Sequence, residues 1–404
     1  MHTLYSQTEI CGGSYFGRAG STQFILLMGS STLLLYGGVN VTSTIRAIYS
    51  NITVYGNNHF LQGMSLEQSV LKLYGNITFT GNLGSAVYAT NSTIHFQQSF
   101  KIEFVRNHGR EGGAIALYNN SQMVVGEQTN IIFVGNHADK DGGAVLADSS
   151  IIVLNIKSVM SFTDNEGYDG GAVALRNGAS IVLNLKCEIV FARNHAQSYG
   201  GALHVTDAIT TWFKPDLHDP TKNSKQCFFK FNLTQVLYLE EGIPRMVFVN
   251  NTAGYAGSAL YGGWVYLCQI RGYGIIGANV FHSIFHFEEA LQDLSTVSSN
   301  PTRVCVCING LPACRTIKHN ITAYPGQTFQ IPAVAVGQQF GTVPFTVHAR
   351  FIPINSSKLS QMKSMQGSQV VGRNCTNLSF TMLSSNRFED MMLAVDKFNV
   401  PCQT

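Results

Sequence analysis

GGAIALYNNSQMVVGEQTNIIFVGN, residues 112–136, decides the fold. The same grammar returns as GGAVLADSSIIVLNIKSVMSFTDN from residue 142 and as GGAVALRNGASIVLNLKCEIVFARN from residue 170. Each copy ends in Phe-x-x-Asn. These units stand at FTGN (Phe79), FVRN (Phe104), FVGN (Phe133), FTDN (Phe162), FARN (Phe191) and FVNN (Phe248). Phe104, Phe133, Phe162 and Phe191 are spaced by 29, and the step from Phe191 to Phe248, 57, is close to two repeats. A third register runs through Ser92, Ser121, Ser150 and Ala179.

Within each copy the apolar residues alternate, which is the period of half-buried strands. Ile77, Ile102, Ile131, Met160, Ile189 and Met246 share a side with the Phe column, while Thr78, Glu103, Ile132, Ser161, Val190 and Val247 point the other way. No helical period interrupts them. Three short strands per 29-residue copy make one coil of a β-solenoid, which buries its inner face only by stacking on its neighbours. The special residues then have structural roles. Phe79, Phe104, Phe133, Phe162 and Phe191 stack inside. Asn82, Asn107, Asn136, Asn165 and Asn194 are expected to take a left-handed corner and to join amide to amide in a ladder. Each glycine pair supplies a tight corner with positive φ.

The rest of the chain sets bounds. Of 404 residues, 12% are charged, the net charge is +3, and there are 39 Gly, 16 Tyr and 25 Phe. That many aromatics argue for a packed core, and without a Lys/Arg cluster nucleic acid is not an expected partner. Eleven N-x-[ST] sequons, at Asn40, Asn51, Asn76, Asn91, Asn119, Asn232, Asn250, Asn320, Asn355, Asn374 and Asn377, point to a glycosylated, secretory-route protein. Nine cysteines agree with an oxidising compartment; Cys187, Cys227, Cys268, Cys305, Cys307, Cys314, Cys375 and Cys402 are the disulfide candidates, and Cys187 with Cys227 is one pairing that would pin a loop. The opening MHTLYSQTEICGG is not a signal peptide, and FILLMGSSTLLLYGGV is too short and interrupted for a membrane span, so the chain reads as part of a larger ectodomain.

The expected organisation is a β-helix over 1–300 and a Cys-containing, β-sandwich-like domain over 301–404. Residues 1–50 read as degenerate early coils, and NITVYGN at 51–57 reads as a weak copy of NITFTGN at 76–82. Residues 206–245, with WFKPDLHDPTKNSKQCFF, read as a loop excursion.

The alternation of GGA[ILV] with FxxN over roughly 50–262 resembles the repeat of polymorphic membrane protein (Pmp) autotransporter passengers, which implies a right-handed parallel β-helix. No run of amphipathic barrel strands follows. FVNNTAGYAGSALYGGWVYLC, RVCVCINGLPAC and YPGQTFQIPAVAVGQQFGTVP are instead similar to large animal ectodomain proteins that place such a helix before a Cys-rich β module. That resemblance implies secretion or cell-surface display.

For chemistry, equivalent residues on successive coils stack about 4.8 Å apart. Glu111, Asp141 and Asp169, each before a glycine pair, form one column with Tyr199, and are candidates for Ca²⁺ ligation or for paired-carboxylate glycosidase chemistry. The simpler role is to cap corner N–H groups. His108, His137 and His195, with Glu166, each follow a ladder Asn. Tyr88, Ala116, Leu146, Ala174, His204 and Tyr261 form an outward, unusually apolar register, either covered by the 206–245 excursion or open to a ligand. No nucleophile elbow, phosphate loop, zinc-protease or dinucleotide motif occurs. The function expected is a non-catalytic extracellular binding or adhesion ectodomain for a polysaccharide or protein, with a β-helix lyase or glycoside hydrolase as the alternative, and with no cofactor beyond the Ca²⁺ candidates.

Overall fold

The computed structural model describes residues 2–11, 15–16, 24–97, 101–206, 229–231, 242–262, 267–269, 284–288 and 296–298, and the strands of 301–399 named below. Among the described residues every regular element is a β-strand. Two compact units divide the chain, Met1–Leu291 and Gln292–Thr404.

The first unit is a right-handed parallel β-helix with three long sheets. One coil runs Val87–Thr90 on the first face, Thr93–Gln97 on the second and Ile102–Val105 on the third. Each strand pairs in parallel with its counterpart one coil on: Val87 with Ile115, Ile94 with Met123, Phe104 with Phe133. Inner positions are closed to solvent, and the largest buried side chains are the phenylalanines. Their rings stack in one file, Phe60–Phe79–Phe104–Phe133–Phe162–Phe191–Phe248, with centroids 4.6 to 5.1 Å apart. The strand spacing sets that distance, so burial and ring stacking are satisfied together.

Polar ladders hold the corners. Asn107 Nδ2 donates to Asn136 Oδ1 (2.9 Å), Asn136 to Asn165 (3.0 Å), Asn165 to Asn194 (2.9 Å) and Asn194 to Asn251 (2.9 Å). Each amide also donates to the carbonyl of a Phe, as Asn136 does to Phe104. The left-handed residue, however, is not the ladder Asn. It is the residue before it: Gly81, Arg106, Gly135, Asp164, Arg193 and Asn250, all with φ between 50° and 63°. The buried Asn is kept for its amide, and the left-handed strain falls on the exposed Arg106, Asp164, Arg193 and Asn250, while Gly81 and Gly135 adopt the corner without it.

The serine register is a second ladder and begins earlier than the repeat suggests. Ser50 N donates to Ser69 Oγ, Ser69 N to Ser92 Oγ and Ser92 N to Ser121 Oγ, at 2.9 to 3.1 Å over separations of 19, 23 and 29 residues. The early coils are therefore short and regular. The additional residues of the 29-residue coils make a fourth, two-residue ladder: His108–Gly109, His137–Ala138, Glu166–Gly167, His195–Ala196 and Thr252–Ala253. Ser121→Ala removes one acceptor and one donor of this file, since Ser121 Oγ also donates to Tyr118 O at 2.7 Å. The expected loss is about 1 kcal/mol, read as a fall in the urea midpoint at constant m-value.

Three readings of the sequence are corrected. Asn51–Tyr55 lies on the second face beside Val70–Tyr74, not on the third with Ile77–Thr80; a 19-residue coil shifts the register. The 57-residue step from Phe191 to Phe248 is one coil, because Asn194 bonds directly to Asn251 and the two rings stack at 5.0 Å. Within the supposed excursion, Phe229–Phe231 returns to the second face beside Ile181–Leu183. Residues 207–228 and 232–241 lie outside the described residues.

The second unit has two antiparallel sheets. One orders Leu311–Ala313, Pro301–Ile308, Thr328–Gly337 and Thr376–Thr381; the other orders Gln366–Val371, Phe345–Pro353 and Met391–Asn399.

Candidate functional site

The backbone places Glu111, Asp141, Asp169 and Tyr199 in one file: Gly112 N donates to Asp141 O, Gly142 N to Asp169 O and Gly170 N to Tyr199 O, at 2.8 to 3.0 Å. Their side chains do not share a point. Glu111 and Asp141 turn to Arg176, which stands at the end of the first-face strand Val173–Arg176, beside Asp148 of the preceding coil. Arg176 Nε donates to Asp148 Oδ2 at 2.7 Å, Nη1 to Asp141 Oδ2 at 3.0 Å and Nη2 to Glu111 Oε2 at 3.2 Å. Tyr118 Oη adds a 2.5 Å bond to Glu111 Oε2. The carboxylates expected to surround Ca²⁺ are gathered around a guanidinium instead, and Asp169 is engaged elsewhere. Sequence reasoning missed Arg176, Asp148 and Tyr118. The signal was there: Asp148 and Arg176 occupy one register position with opposite charge.

This cluster is half-buried, and its titration divides. Burial works to raise the Glu111 carboxyl, but the Tyr118 hydroxyl and the Arg176 guanidinium outweigh it and hold it below the ordinary value. Asp148 follows the same pattern, with Asn177 and Arg176 overcoming burial. Asp141 goes the other way: burial dominates and the charges of Asp169 and Glu111 add to it, so its carboxyl is raised although His204 and Arg176 oppose. Tyr118→Phe removes one donor from Glu111. The expected cost is about 1–2 kcal/mol near neutral pH, shrinking as pH falls and Glu111 protonates, checked by urea melts at several pH values.

Asp169 belongs to a neighbouring buried group. Its Oδ1 accepts from Tyr199 N at 2.9 Å, and its Oδ2 lies 3.7 Å from His204 Nδ1. Tyr199 and Tyr261 pack at 4.5 Å between ring centroids, and His204 lies 5.5 Å from Tyr261. Burial, with the Asp169 charge, pushes the Tyr199 hydroxyl up to about 12. The register Tyr88–Ala116–Leu146–Ala174–His204–Tyr261 is therefore no open apolar surface: only Tyr88 is exposed, and the other five are buried.

His108, His137, Glu166 and His195 lie along the fourth ladder, where His137 pairs with His108 on one side and Glu166 on the other. His195 is bonded to Thr252 Oγ1 at 2.8 Å. Of the described sequons, Asn51, Asn76, Asn91, Asn119 and Asn250 are exposed and Asn40 is half-buried. Cys187 is buried, and burial raises its thiol to about 12; it makes no disulfide with any described residue. Cys268, Cys305 and Cys307 lie on strands, and Cys227, Cys314, Cys375 and Cys402 lie outside the described residues, as do Asn232, Asn320, Asn355 and Asn374. Asn377 lies on the strand Thr376–Thr381.

The fold and its ladders define a class, a parallel β-helix of stacked coils, and one stretch of it is similar to a Pmp repeat. The Chlamydia polymorphic membrane protein (Chlamydia_PMP) repeat matches residues 130–148, from the start of the third-face strand Asn130–Val134 to the end of the first-face strand Val145–Asp148. No curated protein and no solved structure matches the chain. Among the described residues no helix is long and apolar enough to cross a membrane.

Proposed function

We propose that the chain is a surface-displayed or secreted recognition ectodomain, a stacked β-helix that presents its coils to a polysaccharide or to an extracellular protein without chemically altering it. The matched repeat is named for a membrane protein, which favours display at a cell surface. Exposed sequons at Asn51, Asn76, Asn91, Asn119 and Asn250 favour a glycosylated, extracellular setting, and the cysteines favour an oxidising one.

One observation carries the non-catalytic part. Acid–base work on a glycosidic bond needs two carboxyl groups facing the substrate with separate protonation roles. Here Glu111, Asp141 and Asp148 are held by one guanidinium, and Asp169 accepts from Tyr199 N beside His204. Such an arrangement stiffens the first face and leaves little free charge for proton transfer. The raised Asp141 carboxyl is the feature that keeps a β-helix lyase or hydrolase as the second reading.

The test is a polysaccharide panel incubated with chain made in a glycosylating host, scored both for retained ligand and for new chain ends, beside a Glu111→Gln/Asp141→Asn variant. Retention without new ends is the expected result, unchanged in the variant. New ends that vanish in the variant would establish the enzyme and overturn the proposal. Glycan mass at the exposed sequons is expected in the same preparation, and unmodified Asn91 and Asn119 would contradict the extracellular assignment.

A further inference from the structure

The fourth ladder exists only where the coils lengthen, and it sets two imidazoles side by side. His108 and His137 are paired residues on adjacent coils, with ring centroids 4.8 Å apart and planes at 77°. Asp139, two residues beyond His137, turns back between them. Its Oδ1 lies 2.9 Å from His108 Nε2 and 3.8 Å from His137 Nε2. The backbone fixes that return, because Asp139 N donates to Gly109 O at 3.1 Å. One donor atom from each residue falls within 4.8 Å of the others, and among the described residues this is the one such His/Cys/Asp/Glu group.

Metal chemistry reads this geometry closely. Donors about 2 Å from a tetrahedral ion stand about 3.4 Å from one another, and the two measured separations bracket that value. Two imidazole nitrogens with one carboxylate oxygen suit a borderline divalent ion of the first transition row, whereas Ca²⁺ takes oxygen ligands. The other nitrogen of His137 faces a carboxylate too: Nδ1 lies 3.9 Å from Glu166 Oε2, one coil on, longer than a hydrogen bond, so a small rotation of the Glu166 side chain is needed to bring it to where a carboxylate orients a ligating imidazole. All three side chains keep a third or more of their surface in solvent, so a fourth position is open to water or to a donor from outside.

We infer that His108, His137 and Asp139 form a site for a Zn²⁺-class divalent ion, with Glu166 as the residue that orients His137. The ion binds across two coils on the glycine-corner side of the solenoid and leaves one coordination position for an external ligand. Nothing in this depends on the recognition function proposed above.

The full chain, stripped with chelator, is titrated with Zn²⁺ by equilibrium dialysis and with Co²⁺ by visible absorption. The expected result is one ion per chain at this site, intense tetrahedral Co²⁺ bands, and no displacement by excess Ca²⁺. His108→Ala/His137→Ala is expected to abolish that equivalent and the bands, and Asp139→Asn, isosteric with the native residue, to weaken binding by about tenfold or more. Glu166→Gln is expected to cost about tenfold, and His95→Ala, on the second face, to change nothing. Circular dichroism of the metal-free variants guards against loss through misfolding, since the substituted side chains are solvent-facing. Equal Zn²⁺ binding by the double variant and the native chain would overturn the assignment, as would no Zn²⁺ equivalent at all or displacement by Ca²⁺.

Discussion

Gly171→Ala is expected to prevent the chain from reaching its folded state in useful yield, whereas Gly81→Ala costs little. Both glycines sit at corners, but for different physical reasons. Gly171 is the second residue of its pair, and a Cβ there would lie 2.2 Å from Gly201 O and 2.4 Å from His195 O, both backbone atoms of the next coil. Gly143 is in the same position against Gly171 O and Glu166 O. No rotamer relieves such contacts; the coils must separate, and that opens the Asn ladder and the Phe file stacked through them. The expected loss is about 3 kcal/mol or more, concentrated in one corner that each coil repeats. Gly81 has φ of +63° and nothing within 4 Å of its would-be Cβ. Its cost is conformational alone, about 1–2 kcal/mol. At the same corner of other coils Arg106, Asp164, Arg193 and Asn250 adopt the same left-handed backbone, so Gly81→Asn is expected to be nearly neutral. Secreted yield and urea midpoints of the three variants decide this. A Gly171→Ala chain as stable as Gly81→Asn would mean that the coils are not in backbone contact at this corner.

The ladders are legible in the sequence because each repeats one residue type at one spacing. Phe104, Phe133, Phe162 and Phe191, and the Asn three residues after each, declare both period and inner face by their spacing alone. What stays hidden has two physical origins. Coils without the Asn–His and Gly–Gly corner are shorter than the later ones, 19 residues from Ser50 to Ser69 and 23 from Ser69 to Ser92 against 29 from Ser92 to Ser121, so Ser50 and Ser69 fall outside a 29-residue spacing, and NITVYGN reads as a copy from the wrong face. Side-chain direction is the second. The column Glu111–Asp141–Asp169 is correct as backbone, but which way each carboxylate leans depends on Arg176, which is 65 residues from Glu111. The burial of Ala116, Leu146 and Ala174 on the supposed outer side has a trace in the sequence. GGAIALY, GGAVLAD and GGAVALR are continuous apolar runs, which is how a strand buried on both faces reads; the stronger alternation of the neighbouring strands masks it.

Arg176→Leu is the second large effect expected, and its pH dependence is more diagnostic than its size. The substitution keeps the aliphatic stem and removes the cation that three carboxylates share. Breaking such a pair costs about 3–5 kcal/mol when it is fully buried; with a fifth or so of each side chain still in solvent, about 2–3 kcal/mol is expected at neutral pH. In the native chain the signs differ by residue. Glu111 and Asp148 have folded values below their ordinary ones, so the stability they contribute is complete above the usual carboxylate range and is lost as pH falls through the lower, folded values. Asp141 has a raised folded value, so its protonation on the way down favours the folded chain. The native profile is therefore expected to be nearly flat from neutrality to about pH 5, then to fall. Without Arg176 all three carboxyls move upward together. The variant is expected to gain stability as pH is lowered from about 7 to about 5, narrowing its gap to the native chain. Adding Glu111→Gln and Asp148→Asn to Arg176→Leu removes two of the stranded charges and is expected to restore part of the loss at neutral pH and to shrink the gain on acidification to the part that Asp141 supplies. An Arg176→Leu profile parallel to the native one would show that the guanidinium is not what balances these carboxylates, and the engaged state that argues against catalysis on this face would have to be abandoned with it.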